Sequence, residues 1–140
     1  MIVTPTIHFQ GNCEEAIALY QKAFGLRVGH LLHYSDADKR DWDIELSEKE
    51  RNYVYHSESY IGEQRIMMAD ERQQEPKVVT TLFLALTFEE APQVMRAYEA
   101  LLEGGTVIHP PRNTTYSSCI CSIIDRFGIR WGLMTEQTQR

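Results

Sequence analysis

The stretch Asn12-Cys13-Glu14-Glu15-Ala16 returns as Thr87-Phe88-Glu89-Glu90-Ala91 in the second half of the chain. Each copy offers a side-chain oxygen followed three residues later by a glutamate, the pattern of a helix-opening capping box. An alternating run precedes each copy: Ile7 and Phe9 share one face of the first, Leu82, Leu84 and Leu86 one face of the second. An amphipathic helix follows each. Ala16, Leu19, Tyr20, Ala23 and Phe24 form one apolar stripe, ended by Gly25; Val94, Met95, Tyr98, Leu101 and Leu102 form the other, ended by Gly104-Gly105. Pro92 sits early in the second helix and leaves the geometry of its first turn undetermined by the sequence. A chain that writes strand-then-helix twice in this way is constrained to two similar units.

Three strands are expected after each helix. In the first half they are residues 26–34, 52–61 and 64–69, the last two joined by the turn "IGEQ". In the second they are 106–109, 116–124 and 129–134, the last two joined by "DRFG". The polar segment 35–51 reads as a solvated excursion, and "ERQQEPK", 71–77, as the linker. The expected architecture is therefore α+β, a single 1–140 domain of two tandem βαβββ modules, 1–70 and 77–140. Each sheet buries one face under its own helix and leaves the other free to curl. Two such sheets side by side make a half-open barrel whose hollow suits a small organic ligand.

The charge balance narrows the partners. Twenty acidic against fourteen basic residues give a formal charge of -6, which disfavours nucleic acid and anionic membrane surfaces. No apolar run approaches the ~20 residues needed to cross a bilayer. The opening "MIVTPTIHF" lacks the basic start and long apolar core of a signal peptide. A cytoplasmic location is expected. Cys13, Cys119 and Cys121 are odd in number and without CxxC spacing, so they read as reduced packing residues.

Three stretches carry a family resemblance: "TPTIHFQGNCEEAIALYQKAFG" at 4–25, "VYHSESYIGEQRIMMAD" at 54–70, and "EGGTVIHPP" with "DRFGIRWGL" inside 103–133. They resemble the PhnB-like branch of the vicinal oxygen chelate (glyoxalase/bleomycin resistance/dioxygenase) superfamily, nearly end to end. One departure is visible: where that branch carries Trp-Gly before its final hairpin, this chain has Tyr116-Ser117. No glycine-rich nucleotide turn of the kind a methyl donor would need accompanies the resemblance.

Metal-dependent members of the superfamily hold one divalent cation with His and Glu side chains from paired strands, leaving open positions for substrate oxygens. The resemblance places the closing glutamate seven residues after the aspartate that Asp125 matches, which lands on Gly132. Alternation agrees, because Ile129, Trp131 and Leu133 face the helix and leave Arg130, Gly132 and Met134 to the hollow. Near the corresponding histidine on the second module's opening strand stand Thr80, Thr81 and Phe83, all poor ligands. In the first strand, alternation turns Thr6, His8 and Gln10 to the hollow. Burying His8 and Gln10 unpaired under the helix would cost about 1–3 kcal/mol each. The inherited cofactor, a divalent metal, is therefore not expected.

His56 and Glu58, two apart on one strand face, are the residues on which proton transfer would rest if the protein is catalytic; a hydrogen-bonded structural pair is the plainer alternative. His8, Arg130, Tyr116 and Tyr60 are the expected substrate-binding residues, with Arg130 suited to an anionic group. His109 before Pro110-Pro111 reads as a strand-end residue, and the aspartates 36, 38, 41 and 43 as a solvated loop rather than a calcium site. Three functions remain open. The first is a small-molecule pocket without the inherited metal. The second is a metal-dependent lyase, isomerase or dioxygenase with a rearranged set such as His8, His56 and Glu58. The third is a sequestering protein that binds without turnover. The resemblance also implies a homodimer.

Overall fold

The computed structural model describes residues 1–41, 44–72 and 79–136. The chain divides into two compact units, 1–76 and 77–140. In the first, β1 (Thr6–Phe9), α1 (Cys13–Phe24), β2 (Arg27–His33), the short α2 (Glu48–Arg51), β3 (Val54–Ile61) and β4 (Gln64–Asp70) follow one another. In the second the order is β5 (Val79–Phe88), α3 (Ala91–Leu102), β6 (Thr106–Arg112), β7 (Ile120–Ile124) and β8 (Ile129–Thr135). The sheets run β1-β4-β3-β2 and β5-β8-β7-β6, so the opening strand pairs in parallel with the last strand of its own unit both times. The α+β expectation of tandem βαβββ units holds, and each sheet is open, with two edges. Of the linker and the acidic loop, residues 73–78 and 42–43, Asp43 among them, lie outside the described residues.

Alternation decides which side chains meet the helix. Phe9 is buried while Thr6 and His8 on the other face of β1 are exposed. Ile66 and Met68 of β4 turn inward against Cys13, Ala16 and Tyr20 of α1. In the second unit Cys121, Ile123, Trp131 and Leu133 meet Val94, Ala97 and Leu101, every one of them almost fully buried. Burial on this scale contributes about 1.5–3 kcal/mol per large apolar side chain and dominates the stability of each unit. Trp131 keeps its indole N–H satisfied by donating to Asp125 Oδ2 at 2.9 Å. Burial pushes the Cys121 thiol up to about 11, with Cys119 beside it adding to the shift, and the three cysteines are free thiols.

The helix starts differ from the capping boxes expected. Asn12 makes no side-chain cap to α1. Asp70, at the end of β4, replaces it: Oδ1 accepts from the N–H of Gly11 at 2.8 Å and of Cys13 at 3.0 Å, and Oδ2 accepts from Val54 N–H at 2.9 Å. One buried carboxylate thus ties the β1–α1 turn to the start of β3. Burial raises its pKa, against the pull of those three donors. Gly11 allows the arrangement, since its φ of +94° suits glycine and a Cβ there would lie 2.6 Å from the Tyr53 ring. In the second unit β5 runs on through Phe88, so Thr87 stays in the strand and Glu90 becomes the N-cap of α3. The Gln93 side chain then accepts from Glu90 N–H at 2.9 Å. At the place of Asp70 stands Thr135, whose Oγ1 accepts from Ser118 N–H at 2.9 Å. The duplicated tie survives with a neutral group.

Replacing Asp70 with alanine strands three backbone donors at once. Asp70→Ala is expected to cost about 3 kcal/mol or more in urea unfolding, and Asp70→Asn, which keeps one acceptor oxygen, distinctly less. A cost below about 1 kcal/mol for the alanine variant would contradict the clamp.

Candidate functional site

The open face of the second sheet carries a row of small residues. Ser122 pairs with Gly132 across β7–β8, and Gly132 with Ala85 across β8–β5, so three neighbouring strands present hydroxymethyl, hydrogen and methyl side by side. His109 of β6 stands opposite Ser122 and ends the row at the sheet edge. Larger side chains flank it. On one side Arg112, Ile120 and Met134 lie in register; on the other Arg130 pairs with Ile124, beside Phe83. A low floor between tall walls is a cavity, here of roughly 410 Å³, within the ordinary range for ligand sites.

Two of the expected binding residues lie in this cavity. Arg130 faces the open side as alternation required, with its guanidinium carbon 4.2 Å from the Phe83 ring centroid and its Nε donating to Ser122 Oγ at 3.3 Å. Tyr116 also lines it, although from the loop before β7, because that strand begins at Ile120 rather than at 116. His109 corrects the strand-end reading. β6 continues through Pro110-Pro111 to Arg112, which an edge strand tolerates, and both His109 and Arg112 reach the cavity. Of the small row, Gly132 was legible from parity along β8, and only the register between strands sets Ser122 and Ala85 beside it.

The other four expected residues occupy the open face of the first sheet. His56 and Glu58 alternate with buried Ser57 and Ser59, so they share a face as expected. Their partners are different, however. Glu58 Oε1 accepts from Arg65 Nη1 at 3.1 Å, and Arg65 also donates to Thr4 Oγ1. The ring beside His56 is His30, 6.4 Å away between centroids. His8 is exposed and its Nδ1 is paired with Glu71. Tyr60 lies under the Arg27 guanidinium, 5.3 Å from its carbon. His33 is separate from this group, paired with Glu14 of α1.

The residues do not fit the superfamily's metal. A Cβ at Gly132 would already lie 3.1 Å from Phe83 Cε2 and 3.7 Å from Ala85 Cβ, so an aromatic ring fills the space a ligating carboxylate would need. Among the described residues no three His, Cys, Asp or Glu side chains are grouped to hold an ion. Glu58, a member of the rearranged donor set, is engaged by an arginine. No chemical step is therefore routed through a metal.

Two open βαβββ sheets with a concave, small-floored face define a glyoxalase-type protein. The sequence matches the Glyoxalase/Bleomycin resistance protein/Dioxygenase superfamily over residues 5–133, and the chain belongs to that superfamily. Protein YjdN of Escherichia coli K12 is 22% identical to it, covering 99% of this chain and 98% of YjdN. The crystal structure of PA1353 from Pseudomonas aeruginosa superposes with a TM-score of 0.81 at 24% identity, covering 99% of each chain. A protein from Bacillus cereus, described as a putative 3-demethylubiquinone-9 3-methyltransferase, PhnB protein, superposes at 0.79 with 20% identity, covering 96% of this chain and 99% of its own. The PhnB-like resemblance read from the sequence accords with that likeness in fold. No helix among the described residues is long and apolar enough to cross a membrane.

The contact between Arg130 and Phe83 is open to measurement. A double-mutant cycle of Phe83→Ala and Arg130→Met, followed by urea unfolding, is expected to give a coupling of about 0.5–1 kcal/mol, as for a cation over a partly exposed ring. Additivity within error would show that the ring does not hold the guanidinium.

Proposed function

We propose that this protein binds a small organic molecule in the cavity on the second sheet, through side-chain recognition and without the divalent metal of its catalytic relatives. The observation that carries the reading is the cavity beside the row Ser122–Gly132–Ala85: where metal-dependent members of the superfamily would place a ligating carboxylate stands a glycine with Phe83 against it. The small residues of the row leave room on this face, Phe83, Ile120 and Met134 supply apolar contact, and Arg130, Arg112, His109 and Tyr116 give polar groups around it. The reading is one of binding. Sequestration in the manner of a resistance protein and enzymatic turnover share this recognition step and differ only in whether chemistry succeeds it.

His56 and Glu58 remain the pair on which proton transfer would rest in a catalytic version, with His8 and Tyr60 on the same face of the first sheet. The engagement of Glu58 by Arg65 supports a structural role for the carboxylate instead. Three free, buried cysteines accord with a reducing cytoplasm. Exposed Leu82 on the edge strand β5 supports pairing with a second copy as a homodimer.

Ala85 is exposed and lies on the floor, so Ala85→Trp fills the site without disturbing the buried core. A screen of small organic molecules by thermal unfolding is expected to find ligands that raise the wild-type Tm by several degrees at concentrations well above Kd, and Ala85→Trp is expected to abolish those shifts. Shifts that persist undiminished in Ala85→Trp would contradict the assignment.

A further inference from the structure

The cavity differs in charge from the chain that contains it. The protein has a formal charge of -6, yet three basic side chains, His109, Arg112 and Arg130, line the cavity and, among the described residues, no acidic one does. Basic groups gathered in a concave, low-dielectric site focus a positive potential there even when the whole molecule is negative. Resting on the cavity reading above, we propose that the ligand is a small organic anion with an aromatic or aliphatic body, and that a carboxylate or similar oxyanion is its recognised group.

The register fixes how such a molecule would lie. Arg112 stands in the row of Ile120 and Arg130 in the row of Ile124, and successive same-face positions on a strand are about 6.6 Å apart, so the two rows are about 13 Å apart along β7. Between the two rows lie His109 and the row Ser122–Gly132–Ala85, and the Arg130 side chain reaches back over Ser122 against Phe83, so the basic groups border the space that Ile120 and Met134 line. Phe83 lies against the face of the Arg130 guanidinium and Ser122 accepts its Nε–H, which together fix where its positive charge is presented. Arg112, exposed on the edge strand, is the end that meets a ligand from solvent. An uncharged molecule of the same shape would fit the same space without gaining from Arg112 or Arg130. A cationic one would be repelled from both.

Three probes of one shape and different charge test the class: phenylacetate, phenylacetamide and phenethylamine, titrated calorimetrically into the whole protein at neutral pH and low salt. Phenylacetate is expected to bind at least tenfold more tightly than the amide, with the amine weakest, and its advantage is expected to shrink as salt is raised. Arg112→Gln, at an exposed position where folding is not at stake, is expected to cut the phenylacetate affinity severalfold while leaving the amide within twofold. Arg130→Gln is expected to act in the same direction and Arg130→Lys to recover part of the loss. An amide or amine that binds as tightly as the acid overturns the inference while the cavity reading stands. So does a pair of glutamine variants that bind the acid as wild type does. If none of the three probes binds while other ligands still shift the wild-type Tm and not that of Ala85→Trp, the anion class is wrong and the cavity is not. Ligands that ignore Ala85→Trp remove both.

Discussion

The strand register that sets Ala85, Gly132 and Ser122 side by side is the constraint on which the functional reading of this molecule depends. A slip of one residue in β8 would send Gly132 to the helix side and put Trp131 or Leu133 over the floor. That slip is resisted from below. Trp131 and Leu133 are completely buried against α3, and the Trp131 indole N–H is held by Asp125, whose other oxygen accepts from the N–H groups of Phe127 and Ile129 in the turn between β7 and β8. The core therefore positions the cavity. What packs under one face of the sheet determines which side chains can be missing from the other.

The duplicated plan also shows where the halves have diverged. Both units tie the end of their last strand to the approach of the preceding strand, but the first uses a buried carboxylate and the second a hydroxyl. Asp70 bonds in addition to the start of α1, which Thr135 does not replicate for α3. Their open faces differ more. The first carries His8, His30, His56 and Glu58 among polar partners, while the second has lost bulk at its centre and gathered arginines at its rim. A common scaffold with one polar face and one small-floored face is consistent with recognition concentrated in the second unit.

Much of the architecture was legible in the sequence because it rests on local signals. Hydrophobic alternation and the 3.6-residue stripe put Phe9, Tyr20, Val94 and Trp131 in the core, and parity along β8 put Arg130 and Gly132 on the open face. The capping boxes were not legible. Asn12 has the right chemistry, but its Oδ1 accepts from Gln10 N–H instead, and the Gly11 and Cys13 N–H groups go to Asp70, a residue far away in sequence that only the fold brings to the helix start. The second box moved to Glu90 because strand pairing with β8 extended β5 through Phe88. His109 was missed because Pro110-Pro111 looks like a strand terminator, whereas an edge strand has no inner neighbour to deprive of a donor on its outer side. Pairings such as Glu58 with Arg65 depend on cross-strand neighbours, which a single strand's pattern does not contain.

The central claim is that the superfamily's cation position on the second sheet has been given up to Phe83 and a bare glycine. Anomalous diffraction from crystals of this protein soaked separately in manganese, nickel and zinc salts addresses it most directly. The account predicts no ordered ion within coordination distance of the face formed by Phe83, Ala85 and Gly132. A peak there, ligated by three or more imidazole or carboxylate groups at about 2.0–2.2 Å, would contradict it.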